Sequence, residues 1–249
     1  MSFFYKVFSF SYGLILFFTC KRTIDLQKLL KGKRVAIVGA ADSAFNTGKG
    51  SYIDSFDIVI RINKAPLLLK TGQWRNDIGA KTNILFHSFF ENEKSGGGPL
   101  DMDLYDTLGV THLVNPISVY SGYRVTFNFY KKYLMARTVY ALPHSMYMRI
   151  QHKLDKFRPT IGYSALISVL ETEFSELYIT GFTFFKTAFG SGYRNDMKEA
   201  PQVQQYIKSN GLHDPDLEYR NFLEILKINA SKNIILDDAL NEIVRRNMK

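Results

Sequence analysis

One cysteine, Cys20, stands in the 249 residues. Its isolation excludes an intrachain disulfide and any zinc site built on cysteine, and it fits a reducing compartment. Acidic side chains are nearly missing from the first 34 positions, where Asp25 alone faces Lys6, Lys21, Arg22, Lys28, Lys31, Lys33 and Arg34. That segment holds +6 of the net charge of +9, leaving +3 for the remainder, too little for a nucleic-acid-binding module. A stretch of the roughly 20 apolar residues that span a bilayer is lacking too, since Val7–Cys20 ends after 14 residues. KRTIDLQKLLKGKR follows instead of a small-residue cleavage site, so the stretch does not read as a secretory signal. It predicts a helix lying in a membrane interface, its aromatics in lipid and its cationic flank on anionic headgroups. An ordinary core helix is the alternative. The positive flank places the main domain at the cytoplasmic face, peripheral or N-terminally anchored, with a secretory-pathway lumen as the second location. Repeats and low-complexity blocks are absent, and KSGGGPLD (94–101) is too short to separate domains. The reading is a membrane-associating helix and basic flank over 1–32, then one domain over 33–249.

Strand-like runs recur at 34–39, 57–62, 83–88, 112–116, 138–143, 176–181 and 233–237, and helix-period segments lie at 122–135, 144–156, 162–173 and 216–229. The alternation predicts an α/β fold, a mainly parallel, Rossmann-like sheet flanked by helices, with ligands beyond the C-terminal strand ends. Residues 182–212 are polar and without clear periodicity, as expected of a long substrate-binding loop or lid.

Familiar nucleotide motifs fail. In GAADSAFNTGKGS, eight residues separate Gly39 from Gly48, and Gly50 follows Lys49, which a Walker loop does not allow. Ala41 occupies the second glycine of a dinucleotide fingerprint. What survives is a strand and a small-residue turn that lets a phosphate or sugar approach the backbone. The pairs Asp101/Asp103 and Asp214/Asp216 have the spacing of a metal-diphosphate motif, but both sit at helix starts where capping explains them. In GLHDPDLEYR (211–220), Asp214 is a natural N-cap and Pro215 a natural first helical residue. Capping leaves His213 and Glu218 unexplained. Glu218 falls on the apolar face with Phe222 and Ile225, while a histidine before a helix N-terminus stays neutral and can accept a proton. Metal site, general base and capped helix stay open on this stretch alone, although the other histidines (His87, His112, His144, His152) show no zinc spacing to it.

Three ordered segments resolve the choice. RVAIVGAADSAFNTGKGSYIDSFDIVIRINKAP with DIGAKTNILFH (34–87) resembles the large sialylmotif of glycosyltransferase family 29, the eukaryotic-type sialyltransferases. RPTIGYSALISVL and ELYITGF (158–182) resemble the small sialylmotif, and GLHDPDLEY the very small one, His-x4-Glu. The resemblance implies a Rossmann-like variant of the GT-A fold, a CMP-activated donor, a glycan or glycolipid acceptor, inverting transfer and no metal. It implies His213 as general base and Glu218 as its support. Donor contacts are expected from Gly39, Ser43, Asn63, Thr160, Gly162, Gly181 and Tyr193. The chain also departs from the pattern: Ala40 and Ser43 replace asparagines, Ile161 replaces a hydroxyl residue, and SGYRND (191–196) keeps Tyr193 without its histidine. Arg194 is the expected source of positive charge for the departing phosphate. The family's linking cysteines fall at Val35 and Phe174, which agrees with a bacterial-type, cytoplasmic member.

The resulting expectation is a CMP-sialic acid transferase. A CMP-Kdo-dependent transferase of the same fold and an inactive nucleotide- or glycan-binding relative are the alternatives. Arg61 with Asp57 reads as a structural ion pair, Asp54 as a turn cap, and Gly162 and Gly181 also as backbone-geometry positions. Phe89, Tyr120 and Tyr123 are available for sugar contacts or core packing.

Overall fold

Parallel strands rich in β-branched residues organise the chain. The structure, a computed structural model, describes residues 2–92, 95–191, 193, 199–209 and 211–247. In chain order the elements are α1 (Phe3–Cys20), β1 (Lys21–Thr23), α2 (Leu26–Leu30), β2 (Arg34–Val38), α3 (Gly50–Asp54), β3 (Ile58–Ile62), α4 (Arg75–Ile78) and β4 (Ile84–Phe86). They continue with α5 (Met102–Thr107), β5 (His112–Asn115), α6 (Tyr120–Tyr133), β6 (Val139–Ala141), α7 (His144–His152) and α8 (Ile161–Leu170). The last are β7 (Glu176–Thr180), α9 (Ala200–Ser209), α10 (Pro215–Ile228), β8 (Ile234–Leu236) and α11 (Asp238–Asn247).

The strands form one eight-stranded sheet in the order β1-β6-β5-β4-β3-β2-β7-β8, with every neighbouring pair parallel. β2 is central and buried on both faces, as a parallel sheet covered by helices requires. Val35 and Ile37 enter the core beneath α8 and α10, while Ala36 and Val38 enter the second core with Ile53, Phe56 and Ile78. β2 pairs with β3 on one side, Val35 opposite Ile58, and with β7 on the other, Val35 opposite Leu177. Chain order reverses between β2 and β7. The loops leaving their C-terminal ends diverge there and open a crevice.

The seven strands expected from the sequence are all present, and β1 is additional. Its residues, Lys21, Arg22 and Thr23, are polar and mostly exposed, so no apolar alternation marks it. β1 pairs with β6 through Lys21 opposite Val139, which places residues ahead of the expected boundary at 32 inside the sheet. The preceding helix starts at Phe3 rather than Val7, and its 18 residues meet the length and composition of a membrane-crossing helix. Only Ser9, Gly13 and Leu16 are buried. Gly13 lies so close to Lys131 of α6 that a Cβ would stand 2.9 Å from the Lys131 Cα, and Phe10 and Phe17 pack on Phe127.

Two further expectations need correction. The 182–212 segment is not all loop, because α9 forms within it; Val203 is buried and Tyr206 and Ile207 follow at helical spacing. Arg61 and Asp57 do not pair. Arg61 is fully buried and donates to Thr82 Oγ1 (3.0 Å) and to the carbonyls of Ile78 and Gly79, while Asp57 accepts the Arg34 N–H. Asp54 does cap a turn, accepting the N–H groups of Ala80 and Lys81 at 2.9 Å. The charged residues of the 34–87 segment thus brace the loops beneath the crevice. Val35 and Phe174 share one apolar core.

Candidate active site

A cavity of about 520 Å³ occupies the crevice at the C-terminal ends of β2, β3, β4 and β7. Gly39 and Gly181, which directly follow β2 and β7, form its floor. A Cβ on Gly39 would overlap the Gly181 carbonyl, and Gly181 has φ +72°, so neither position tolerates a side chain without moving backbone. Asp237, a residue without a sequence signal, fixes this junction by accepting from Thr180 Oγ1 (2.9 Å) and Gly181 N (2.8 Å). The loop after β2 is held by residues 188–190: Asp42 N donates to Ala188 O, and Gly190 N to Ala40 O.

His213 precedes the N-cap of α10. Asp214 accepts the N–H groups of Asp216 and Leu217 at 3.0 Å, and Pro215 takes the first helical position. His213 lines the cavity and its Nδ1–H donates to the Arg158 carbonyl at 2.6 Å. Because a carbonyl can only accept, the proton is on Nδ1 and the Nε2 lone pair is left for another partner. Partial burial and the nearby Arg158 charge lower the imidazole pKa against the opposing pull of that hydrogen bond, so the ring is a neutral acceptor near pH 7.

Glu218 lies one turn into α10 and is 1% exposed. Its Oε1 accepts the Thr160 N–H (2.6 Å) and its Oε2 meets Thr160 Oγ1 (2.9 Å). Thr160 is the N-cap of α8, where its hydroxyl also accepts from Tyr163 N (3.1 Å). Burial pushes the Glu218 carboxyl up to about 8, against the lowering effect of the Thr160 hydrogen bonds. One side chain thereby locks together the helix that carries His213 and the helix start that lines the cavity with Thr160, Ile161 and Gly162.

The other wall comes from the loops after β3 and β4. Asn63 has φ +52°, and its Oδ1 accepts the Ser88 N–H (3.1 Å), which orients its carboxamide at the lining. His87 is fully buried with Nε2–H donating to Gly97 O (2.9 Å) and Nδ1 accepting from Phe89 N (2.9 Å). Desolvation lowers its pKa to about 4, so it is a neutral strut. The glycine-rich stretch that is too short to separate domains forms part of this wall: Gly96 and Gly97 line the cavity, and a Cβ on Gly97 would run into Ser88 Oγ. Its glycine triplet was the available signal. Tyr193 spans to this wall, its OH donating to Gly96 O (3.2 Å) and its ring lying 5.0 Å from Lys64 Nζ.

The cavity therefore brings together Gly39, Asn63, Thr160, Gly162, Gly181, Tyr193, His213 and Glu218. Ser43 is not in the lining; its hydroxyl is buried without a partner. Arg194 lies outside the described residues. Phe89 packs in the core, Tyr120 is 79% exposed and Tyr123 sits under the Lys21 ammonium, so none of the three meets the cavity. Asp101 caps α5 through Leu104 N and pairs with Lys70. Among the described residues, no three His, Cys, Asp or Glu side chains cluster as a metal site would require.

Residues 14–96 match the model of glycosyltransferase family 29 (sialyltransferase). Crystal structures of mammalian sialyltransferases share the fold. One, in complex with Gal-β-1-3GalNAc-ortho-nitrophenol, has a TM-score of 0.56 at 18% identity, over 90% of this chain and 77% of that one. A second has a TM-score of 0.55 at 18% identity, over 91% and 78% of the two chains. No curated protein sequence matches the chain. The family match thus covers the strands and loops from β2 to β4, and the fold of the mammalian sialyltransferases extends over nearly all of the chain.

Proposed function

We propose that the protein transfers sialic acid from CMP-sialic acid to a glycan hydroxyl with inversion, using His213 as general base and no metal. The observation that carries this reading is the His213 tautomer beside the Thr160-capped start of α8. His213 Nε2 takes the proton of the acceptor hydroxyl while its oxygen bonds to the anomeric carbon. The bond from that carbon to the phosphate oxygen breaks, its electron pair leaves with CMP, and the imidazolium later returns its proton to solvent. The first-turn N–H groups of Ile161 and Gly162 have no acceptor within their own helix and are suited to the departing phosphate. A Glu218 carboxyl held neutral by burial adds no repulsion to that anion. Gly39, Asn63 and Gly181 hold the nucleotide against bare backbone, and Tyr193 closes the wall beside it.

The catalytic domain works at the cytoplasmic face of a membrane. Phe3, Phe4 and Phe18 are 75%, 84% and 71% exposed, α1 carries no acidic residue, and Lys21, Arg22, Lys28, Lys31 and Lys33 follow it. Its packing along α6 supports a helix lying on the surface rather than across it.

The test is to incubate purified protein with CMP-sialic acid and with CMP-Kdo, with and without chelator, and to follow CMP release and glycan product. Release from CMP-sialic acid that survives chelator and falls by about 10²–10⁴ in His213→Ala supports the reading. Preference for CMP-Kdo would change the donor. Loss of rate with chelator would contradict the metal-free step.

A further inference from the structure

The segment between β7 and α9 turns at Thr183–Lys186. Lys186 N donates to Thr183 O (3.0 Å), and both central residues, Phe184 and Phe185, have left-handed φ values of +51° and +58°. Two positive φ values in a two-residue turn ordinarily select Asn-Gly, because a Cβ there crowds the backbone carbonyls. Two phenylalanines pay that penalty side by side, so neighbouring contacts must hold them. Phe184 is the anchor: 9% exposed, it packs on Tyr219 (5.2 Å) and Phe222 (5.1 Å) of α10. Lys186 reaches the same helix, with its ammonium 3.8 Å from Asp216 and over the Tyr219 ring. Gln204 of α9 donates to the Phe185 carbonyl (3.1 Å). Phe185 itself does not enter the core. It lines the cavity, its ring edge-on to Phe189.

We infer that the strained turn presents Phe185 as the platform on which the apolar C–H face of an acceptor pyranose rests, beside His213. This rests on the transferase reading above. Gly39, Asn63 and Thr160 supply backbone and polar groups for a nucleotide, whereas residues 182–189 supply aromatic surface to the same cavity. The turn is seated on the first two turns of α10, whose N-terminus carries His213. An acceptor hydroxyl delivered to His213 must bring its ring against the neighbouring wall. Sugar rings bind aromatic faces through their axial C–H groups, and the rigidity of the turn fixes the platform's position.

Transfer from CMP-sialic acid to methyl β-galactoside tests the assignment in wild type, Phe185→Ala, Phe185→Gly and Phe185→Tyr. Both truncations raise the acceptor KM by roughly tenfold or more, with the donor KM and the calorimetric CMP affinity unchanged, and Phe185→Tyr restores the acceptor KM. Phe185→Gly melts about 2–4 °C above Phe185→Ala, because both lose the ring but only glycine relieves the backbone. An unchanged acceptor KM, or a loss shared equally by donor and acceptor, overturns the platform while leaving the transferase reading intact. Donor hydrolysis without transfer to the galactoside overturns the pyranose class. No CMP release by wild type overturns the transferase reading itself, and the platform with it.

Discussion

Replacing Glu218 by glutamine separates two states of the site. The carboxyl is fully buried against Thr160, and its pKa of about 8 is set first by desolvation. In the protonated acid, Oε1 accepts the Thr160 N–H and Oε2–H donates to Thr160 Oγ1. Glutamine reproduces both, with its carbonyl accepting and its amide donating. The linkage has a definite sign. A carboxyl raised from 4.5 to about 8 binds its proton more tightly in the folded chain, so its stabilisation is complete below about pH 4.5. It is lost as pH rises to about 8, at up to about 1.4 kcal/mol per pH unit. The wild-type protein therefore loses stability relative to Glu218→Gln on going from pH 5 to pH 8, by roughly 3–4 kcal/mol. Urea unfolding of both proteins at pH 5, 6, 7 and 8 measures this directly, since titration of His87, His213 and the surface carboxylates cancels in the difference. A wild-type-minus-variant stability that stays flat across that range would mean an ordinary, ionised Glu218 and would refute the argument. The same result would remove the proposal that a neutral carboxyl tolerates the phosphate at the start of α8.

Three further outcomes follow from the packing. Arg61→Met strands Thr82 Oγ1 and the carbonyls of Ile78 and Gly79, and should cost about 2–4 kcal/mol in urea unfolding; a smaller change would show that those loops relax to water. Gly39→Ala drives a Cβ into the Gly181 carbonyl and should destabilise by about 1–3 kcal/mol while weakening CMP binding, read by calorimetry; unchanged CMP affinity would place the nucleotide elsewhere. Deleting residues 2–20 should abolish sedimentation with phosphatidylserine-containing vesicles. The intact protein should show weaker vesicle binding at high salt, because the basic flank is screened, and equal binding with neutral vesicles would argue against that flank's part.

The strands were legible because a parallel strand covered on both faces must be a short, nearly continuous apolar run, as in RVAIV and ELYIT. β1 escaped because KRT lies on an edge and carries no such run. α9 escaped because its apolar face is narrow, with Val203 buried and Gln202, Gln204 and Gln205 around it. In the site, the start of α10 announced itself through Asp214 and Pro215, whereas Ser88, Asp237 and Phe185 lie in stretches with no motif to mark them.

By itself, the order of residues determined the α/β class, the helix start that mounts His213 and the glycines at the strand ends, since periodicity, capping and backbone freedom are local properties. Tertiary structure alone decided what those parts do together. It set Glu218 against Thr160 across 58 residues, fixed the His213 proton on Nδ1 through the Arg158 carbonyl, and turned Arg61 from a presumed partner of Asp57 into a brace for residues 78–82. Hydrogen bonds and desolvation act between neighbours in space, and only the folded sheet made these residues neighbours.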